Sequence, residues 1–320
     1  MDERSRLAAL SVVMLAMGLL AGCAKPAGTS ATAAQTPPQP TFATPEEAVA
    51  ALVAAGGKED LQGLQALLGP GTADLVSSGD LVADRRAREA FLSRYSAYHE
   101  LVAGGPNDLA LLVGEDRWPL PIPLVGKSGR WYWDGAAGAR EVLVRRIGAN
   151  ELRTIDVMQG FVAAERDYAA NGHDGAPGGV YAVKLRSSAG KEDGLYWEEG
   201  ASGNSQSPAG PLLAAASAEG YAANSGGTKP YHGYLFRLLT SQGPEANGGA
   251  RDYLVNGKLI GGFALLAYPN AYGASGVMTF MVNQDGVVWQ RDLGPDTATA
   301  AAAITQFNPD SSWTPIPPEG

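Results

Sequence analysis

The chain has 320 residues, 45% of them hydrophobic and 18% charged, enough apolar material for a packed core shared between two domains. Its formal net charge of -9 and the scatter of its 24 basic residues argue against nucleic-acid binding, which needs Lys and Arg clustered on one face. With 42 glycines and 21 prolines, many turns and short strands are favoured over a helical bundle, and the expected class is α+β.

Residues 1–22 read as a signal peptide, since Arg4 and Arg6 precede an uncharged apolar stretch from Leu7 to Ala21. At about 15 residues this stretch is shorter than the roughly 20 that a helix needs to span the hydrocarbon core. It ends in Leu20-Ala21-Gly22-Cys23, and Cys23 is the only cysteine, so the chain cannot close an internal disulfide. These four residues resemble the bacterial lipobox, which implies a lipid on Cys23 and membrane attachment through it. Residues 23–41 carry Pro37, Pro38 and Pro40 among Ala, Thr, Gln and Ser, a composition that cannot bury a core and is expected to act as a flexible tether. Ala rather than Asp at position 24 resembles the proteobacterial pattern for the outer membrane, so the expected address is the cell envelope, facing the periplasm.

Residues 42–148 are expected to form an N-terminal α+β domain. Thr44-Pro45-Glu46-Glu47 has the form of a capping box and opens a helix to about Ala55, which Gly56-Gly57 stops. A second helix starts at Asp60, with Leu61, Leu64, Leu67 and Leu68 on one face, and a third runs from about Asp84 to Tyr98. The period then changes to that of strands at His99 to Val102, Leu109 to Val113, Arg117 to Leu124 and Arg130 to Trp133. Helices followed by a curved sheet resemble the NTF2-like or cystatin-like layout.

Residues 149–320 are expected to form a second domain, a long helix packed on an antiparallel meander. The helical pattern that begins at Glu141 is expected to break at Gly148 and restart with Asn150 as cap, burying Leu152, Ile155, Met158, Phe161 and Val162. Val180 to Arg186 and Leu195 to Trp197 are candidate strands, followed by a stretch rich in Gly, Ser and Asn up to about Lys229. The meander comprises His232 to Thr240, Phe263 to Tyr268, Val277 to Asn283 and, after the turn Asp285-Gly286, Val287 to Arg291.

The only histidines are His99, His173 and His232, and none has the spacing of a metal site. His173-Asp174-Gly175 reads as an exposed turn, and His232 as the start of a strand with a packing role. Gly273-Ala274-Ser275-Gly276 approaches the nucleophile elbow of serine hydrolases without completing it. Glu192-Asp193 and Asp292 to Asp296 supply carboxylates of the kind that bind calcium, without the twelve-residue loop of an EF-hand. No catalytic residue, cofactor or metal is expected. The candidate ligand or partner surface is aromatic: Trp118, Trp131 and Trp133, with Tyr231 and His232, since Trp and Tyr supply contact area at low entropic cost. The competing reading is that Trp131 and Trp133, two apart on one strand face, fill the core.

Two resemblances complete the reading. Asn150 to Ile155, Tyr231 to Phe236, Ala267-Tyr268-Pro269 and the hairpin from Gly276 to Gly286 are similar to the globular part of type IV pilin-like proteins, which implies a helix on an antiparallel sheet. The chain departs from pilins in lacking the apolar N-terminal half-helix through which they polymerise. Over Phe42 to Pro315 it also resembles the bacterial domain of unknown function 2950 family, most distinctively at Trp118 to Leu124 and Gly129 to Tyr132. That resemblance implies a shared fold and no activity. The expected function is non-catalytic binding or scaffolding at the envelope, with an envelope protein as partner and no nucleic acid; the alternative is a hydrolase of envelope polymers.

Overall fold

The computed structural model describes residues 38–317, apart from residues 174, 176, 198–205, 213–215 and 217–228. Helix α1 (Pro45–Gly57) starts as its sequence dictates. The Glu47 N–H donates to Thr44 Oγ1 at 3.2 Å, and the Glu47 carboxylate reaches back to the Ala43 N–H at 3.0 Å. Asp60 caps α2 (Leu61–Leu68), and a single turn, α3 (Ala73–Val76), follows. Helix α4 (Leu81–Ala97) begins before the expected Asp84 because Asp80 is its cap, accepting the N–H groups of Val82 and Ala83 at 3.1 and 3.0 Å. Asp84 is instead turned back onto the Ser78 N–H and the hydroxyls of Ser77 and Ser78.

The first sheet is antiparallel, in the order β1 (His99–Ala103), β2 (Asp108–Val113), β4 (Leu124–Lys127), β5 (Arg130–Trp133), with β3 (Trp118–Pro119) on the free part of β2. The expected strand from Arg117 to Leu124 is interrupted, since Pro119, Pro121 and Pro123 bring no N–H to a ladder. Leu52, Leu64, Leu67, Leu111, Val113, Leu124 and Trp133 are buried between this sheet and the helices.

Helix α5 (Gly135–Asn171) is one uninterrupted element of 37 residues. The expected break at Gly148 does not occur, and the expected domain boundary falls inside this helix. A mid-helix glycine costs about 1 kcal/mol, too little to stop a helix anchored on both sides of it. Before it, Asp134 caps the first turn and Gly138 lies so close to the first core that a Cβ would sit 2.7 Å from Ile122 Cα. After it, the buried Asn150 amide donates to Ser275 O at 2.9 Å. The described chain from Pro38 onward forms one compact unit.

The second sheet is the antiparallel meander, in the order β14 (Thr314–Pro315), β13 (Trp289–Asp292), β12 (Met278–Asn283), β11 (Ala264–Pro269), β6 (Tyr234–Leu239). One face packs on α5 through Met158, Phe161, Val162, Phe263, Leu265, Phe280 and Val282, with Phe161 edge-on to Phe263 at 5.6 Å. The other face is covered by Tyr253, Phe307, Trp313 and helix α6 (Thr297–Ala303). Because both faces are buried, β11 reads as an unbroken apolar run rather than an alternating one. Leu152, expected in the α5 stripe, is 62% exposed, and the buried stripe starts from Asn150 and Thr154. The segments from Val180 and Leu195 form no ladders; Tyr181 bridges Leu259 and Arg186 bridges Tyr196 singly. Short pairs β7 (Ser241–Gln242) with β8 (Arg251–Asp252), and β9 (Leu254–Val255) with β10 (Lys258–Leu259), flank the sheet. Among the described residues, no helix is long and apolar enough to cross a membrane.

Candidate functional site

The residues expected to form an aromatic surface are dispersed. Trp133 is fully buried, and its indole N–H donates to Ala48 O at 3.0 Å, so it belongs to the first core and presents nothing to a partner. Trp131 is half-buried with its ring packed over Gly126, and Trp118 is half-buried beneath the Arg145 guanidinium, 5.0 Å from the ring centre. Tyr231 and His232 lie on the other half of the molecule. Cys23 and Asp174 lie outside the described residues.

His232 is not the start of a strand. It is buried with φ +51°, and with Gly233 at φ +76° it forms the centre of a two-residue turn. Tyr231 and Tyr234 exchange backbone hydrogen bonds of 2.8 and 3.1 Å across it, as both left-handed conformations require in a type I′ hairpin. Gly233 is obligatory here for space as well, since a Cβ would stand 2.7 Å from the Asn150 amide. Its N–H donates to Asp80 Oδ2 at 2.9 Å, joining the α4 cap to the second sheet.

Ser275 lies in the same junction but is fully buried, with its hydroxyl accepting the Ala271 N–H at 3.0 Å and donating to Ala271 O at 3.1 Å. These bonds close a loop, which is why the near-elbow sequence is there. Glu151 is likewise structural, one oxygen accepting the N–H groups of Val277 and Met278 at 2.9 Å each. The junction is a polar clamp between α4, α5 and the second sheet.

His173, expected in an exposed turn, is buried. Its Nδ1 lies 2.9 Å from a Glu192 carboxylate oxygen, and its ring is held between Tyr168 at 4.5 Å and Trp197 at 5.0 Å. The acidic pair Glu192-Asp193 is thereby divided, since Asp193 meets Lys184 Nζ at 2.8 Å. Asp292 accepts the Gly294 N–H at 2.7 Å. Among the described residues, no group of three His, Cys, Asp or Glu side chains is placed to hold a metal ion.

An open cleft stands where the β12–β13 turn meets two loops, with a volume of about 360 Å³. Asn283, Asp285, Val287 and Trp289 come from the turn and its strands, Glu245 and Asn247 from the loop after β7, and Phe307 and Pro309 from the segment after α6. Each contributor is fixed by the backbone. The Asp285 N–H donates to Asn283 Oδ1 at 3.1 Å and the Gly286 N–H to Asn283 O at 3.0 Å, shaping the turn. Phe307 is pinned to β7 by its N–H donating to Ser241 O and its carbonyl accepting the Gly243 N–H, both at 2.9 Å. The Asn308 carboxamide accepts the Glu245 N–H at 2.9 Å, and Gln242 donates to Asn247 O at 2.9 Å, so the acidic loop is held from two sides.

The lining pairs the half-buried ring of Trp289 with the carboxylates of Glu245 and Asp285, while Phe307 belongs to the core and contributes almost no exposed surface. Among the described residues, no Lys, Arg or His lines the cleft. Neither carboxylate is in an ion pair among the described residues. The nearest sequence signal is Asp285-Gly286 before Val287 to Arg291, which marks the turn. Glu245 and Phe307 are brought in from 40 and 22 residues away, counted from Asp285, and no periodicity in the sequence announces that meeting.

The fold and the cleft define a class, a mixed α+β protein with an open surface cleft, in which His173 and His232 are buried and His99 is exposed on β1. The chain belongs to the family described as protein of unknown function (DUF2950), which it matches over residues 39–316. No curated protein and no solved structure matches it.

Proposed function

We propose that the protein is a lipoprotein of the cell envelope, anchored through Cys23 and facing the periplasm from the outer membrane, that binds a polar ligand or partner without transforming it. The observation that carries the binding reading is the cleft of Glu245, Asn283, Asp285, Trp289 and Phe307, whose walls are held in place before any ligand arrives. Residues 23–37 would supply a tether between lipid and folded unit. The expected linker ends earlier than residue 41, because the Gln39 amide donates to Leu67 O and Trp133 O at 2.8 and 2.6 Å and Thr41 accepts from Arg130. The α5 helix on its antiparallel sheet is read as a pilin-like unit put to use as an interaction module, supported by the order helix, then meander.

Two experiments test this reading. Labelled fatty acid should be incorporated by the wild-type protein in its host and lost in Cys23→Ser; an intact, unmodified N-terminus on the wild type defeats the anchor. Trp289→Leu should abolish the retention of host-envelope material by the immobilised protein, and unchanged retention defeats the cleft as the site. A hydrolase is the second reading, favoured by two carboxylates in one cleft, the equipment of a glycosidase. It requires release of soluble fragments from purified cell-wall polymer, lost in Glu245→Gln.

A further inference from the structure

We propose that the cleft takes a cationic amine, with Trp289 as its aromatic wall and Glu245 and Asp285 as counter-charges. This rests on the binding reading above and supplies the ligand class. Two formal negative charges share one cleft and, among the described residues, nothing basic lines it, so an anionic ligand meets like charge and a cation meets opposite charge, although Arg166 stands behind the turn, donating to Gln284 O at 2.8 Å. Ionised carboxylates are acceptors only, and an ammonium is a donor only, so the polar lining and the ligand match in kind.

A neutral saccharide would need amide groups free to read hydroxyls. Of the two amides in the lining, Asn283 is buried, its Oδ1 accepts the Asp285 N–H and its Nδ2 donates to Asp285 Oδ2 at 3.4 Å, so the exposed Asn247 alone offers a carboxamide, against two carboxylates that match an ammonium. Trp is the best of the aromatic faces for a cation. At about 360 Å³ the open cleft has room for an alkylammonium group such as a lysine side chain.

The test is calorimetric titration of the purified chain, begun at Cys23→Ser, with Nα-acetyl-lysine amide. Controls are Nα-acetyl-norleucine amide, which keeps the alkyl chain without the charge, and the trisaccharide of N-acetylglucosamine. The lysine amide should bind and the norleucine amide should not. Glu245→Gln and Asp285→Asn, both exposed and nearly isosteric, should each weaken binding about three- to tenfold and leave the circular dichroism spectrum unchanged. Trp289→Leu should weaken it about tenfold, and high salt should weaken the wild type. Equal binding of the norleucine amide, or unaltered affinity in both charge variants, overturns the amine while leaving the cleft a binding site. Binding of the trisaccharide alone does the same. Failure of all three probes overturns the amine, and the binding reading then stands or falls on whether the envelope material retained by the wild type is lost in Trp289→Leu.

Discussion

Glu165 lies wholly buried on α5, where one carboxyl oxygen accepts the Ala182 N–H at 2.9 Å and the other has no hydrogen-bond partner among the described residues. Burial pushes its pKa from 4.5 up to about 8, so at neutral pH the folded protein keeps the proton that the unfolded chain releases. The stabilisation is therefore full below about pH 4.5 and is lost as pH rises towards 8. At about 1.4 kcal/mol per unit, the loss across that window is roughly 3 to 5 kcal/mol. Glu165→Gln keeps an acceptor for Ala182 and removes the titration, so its urea midpoint should change less than the wild type's between pH 5 and pH 8 and exceed it at pH 8. Equal pH slopes for the two proteins would show that Glu165 does not titrate in the folded state. Nothing in Ala163-Ala164-Glu165-Arg166-Asp167 announces a buried acid, since the run has the composition of a solvated helical turn. The burial of His173 was hidden for a related reason: His-Asp-Gly is turn chemistry in the sequence, and only the folded chain brings Tyr168 and Trp197 to either side of the ring.

Helix starts and turns were legible because their signals are local. The Thr44 box, the Asp60 cap and the Asp285-Gly286 turn each operate within a few residues. The meander was legible because β6, β11, β12 and β13 are neighbours in the sheet in chain order, with short connections from β11 to β12 and from β12 to β13, although β7 to β10 intervene between β6 and β11. Gly148 misled because a glycine is a stop signal only where the helix has nothing beyond it to pack on. A Cβ at Gly148 would meet nothing within 4 Å, and its backbone is helical. Gly148→Ala should therefore stabilise the protein by roughly 0.5 to 1 kcal/mol in urea unfolding, whereas a real break at this position would make the substitution destabilising. On the same helix, Phe161→Ala should cost about 3 to 5 kcal/mol, and Leu152→Ala less than about 1 kcal/mol, since the first ring is in the core and the second side chain is in water.

The two sheets have separate cores, and what makes one body of them is α5 together with the polar clamp. Val142 on the first half of α5 packs on the first core, and Met158, Phe161 and Val162 on its second half fill the other. Asp80 to Gly233 and Asn150 to Ser275 then tie the first half to the second by buried hydrogen bonds. Sequence periodicity shows two apolar groupings and so suggests two domains; it cannot show hydrogen bonds between residues 153 positions apart. The tryptophans report on the halves separately, with Trp118, Trp131 and Trp133 around the first core and Trp197 and Trp313 in or beside the others. In one variant the first three are replaced by Phe, and in another Trp197, Trp289 and Trp313 are, so that fluorescence follows a single half. Both variants should lose fluorescence at the same urea concentration as their own far-ultraviolet circular dichroism, because neither half can open without breaking α5 or the clamp. Adding Asp80→Ala removes the α4 cap and the acceptor for the Gly233 N–H, at a cost of about 1 to 3 kcal/mol. That loss should fall on the coupling, and the two halves should then melt at separate midpoints. Separate midpoints already in the chains that keep Asp80 would show that the halves fold independently and that the clamp is only a contact between them.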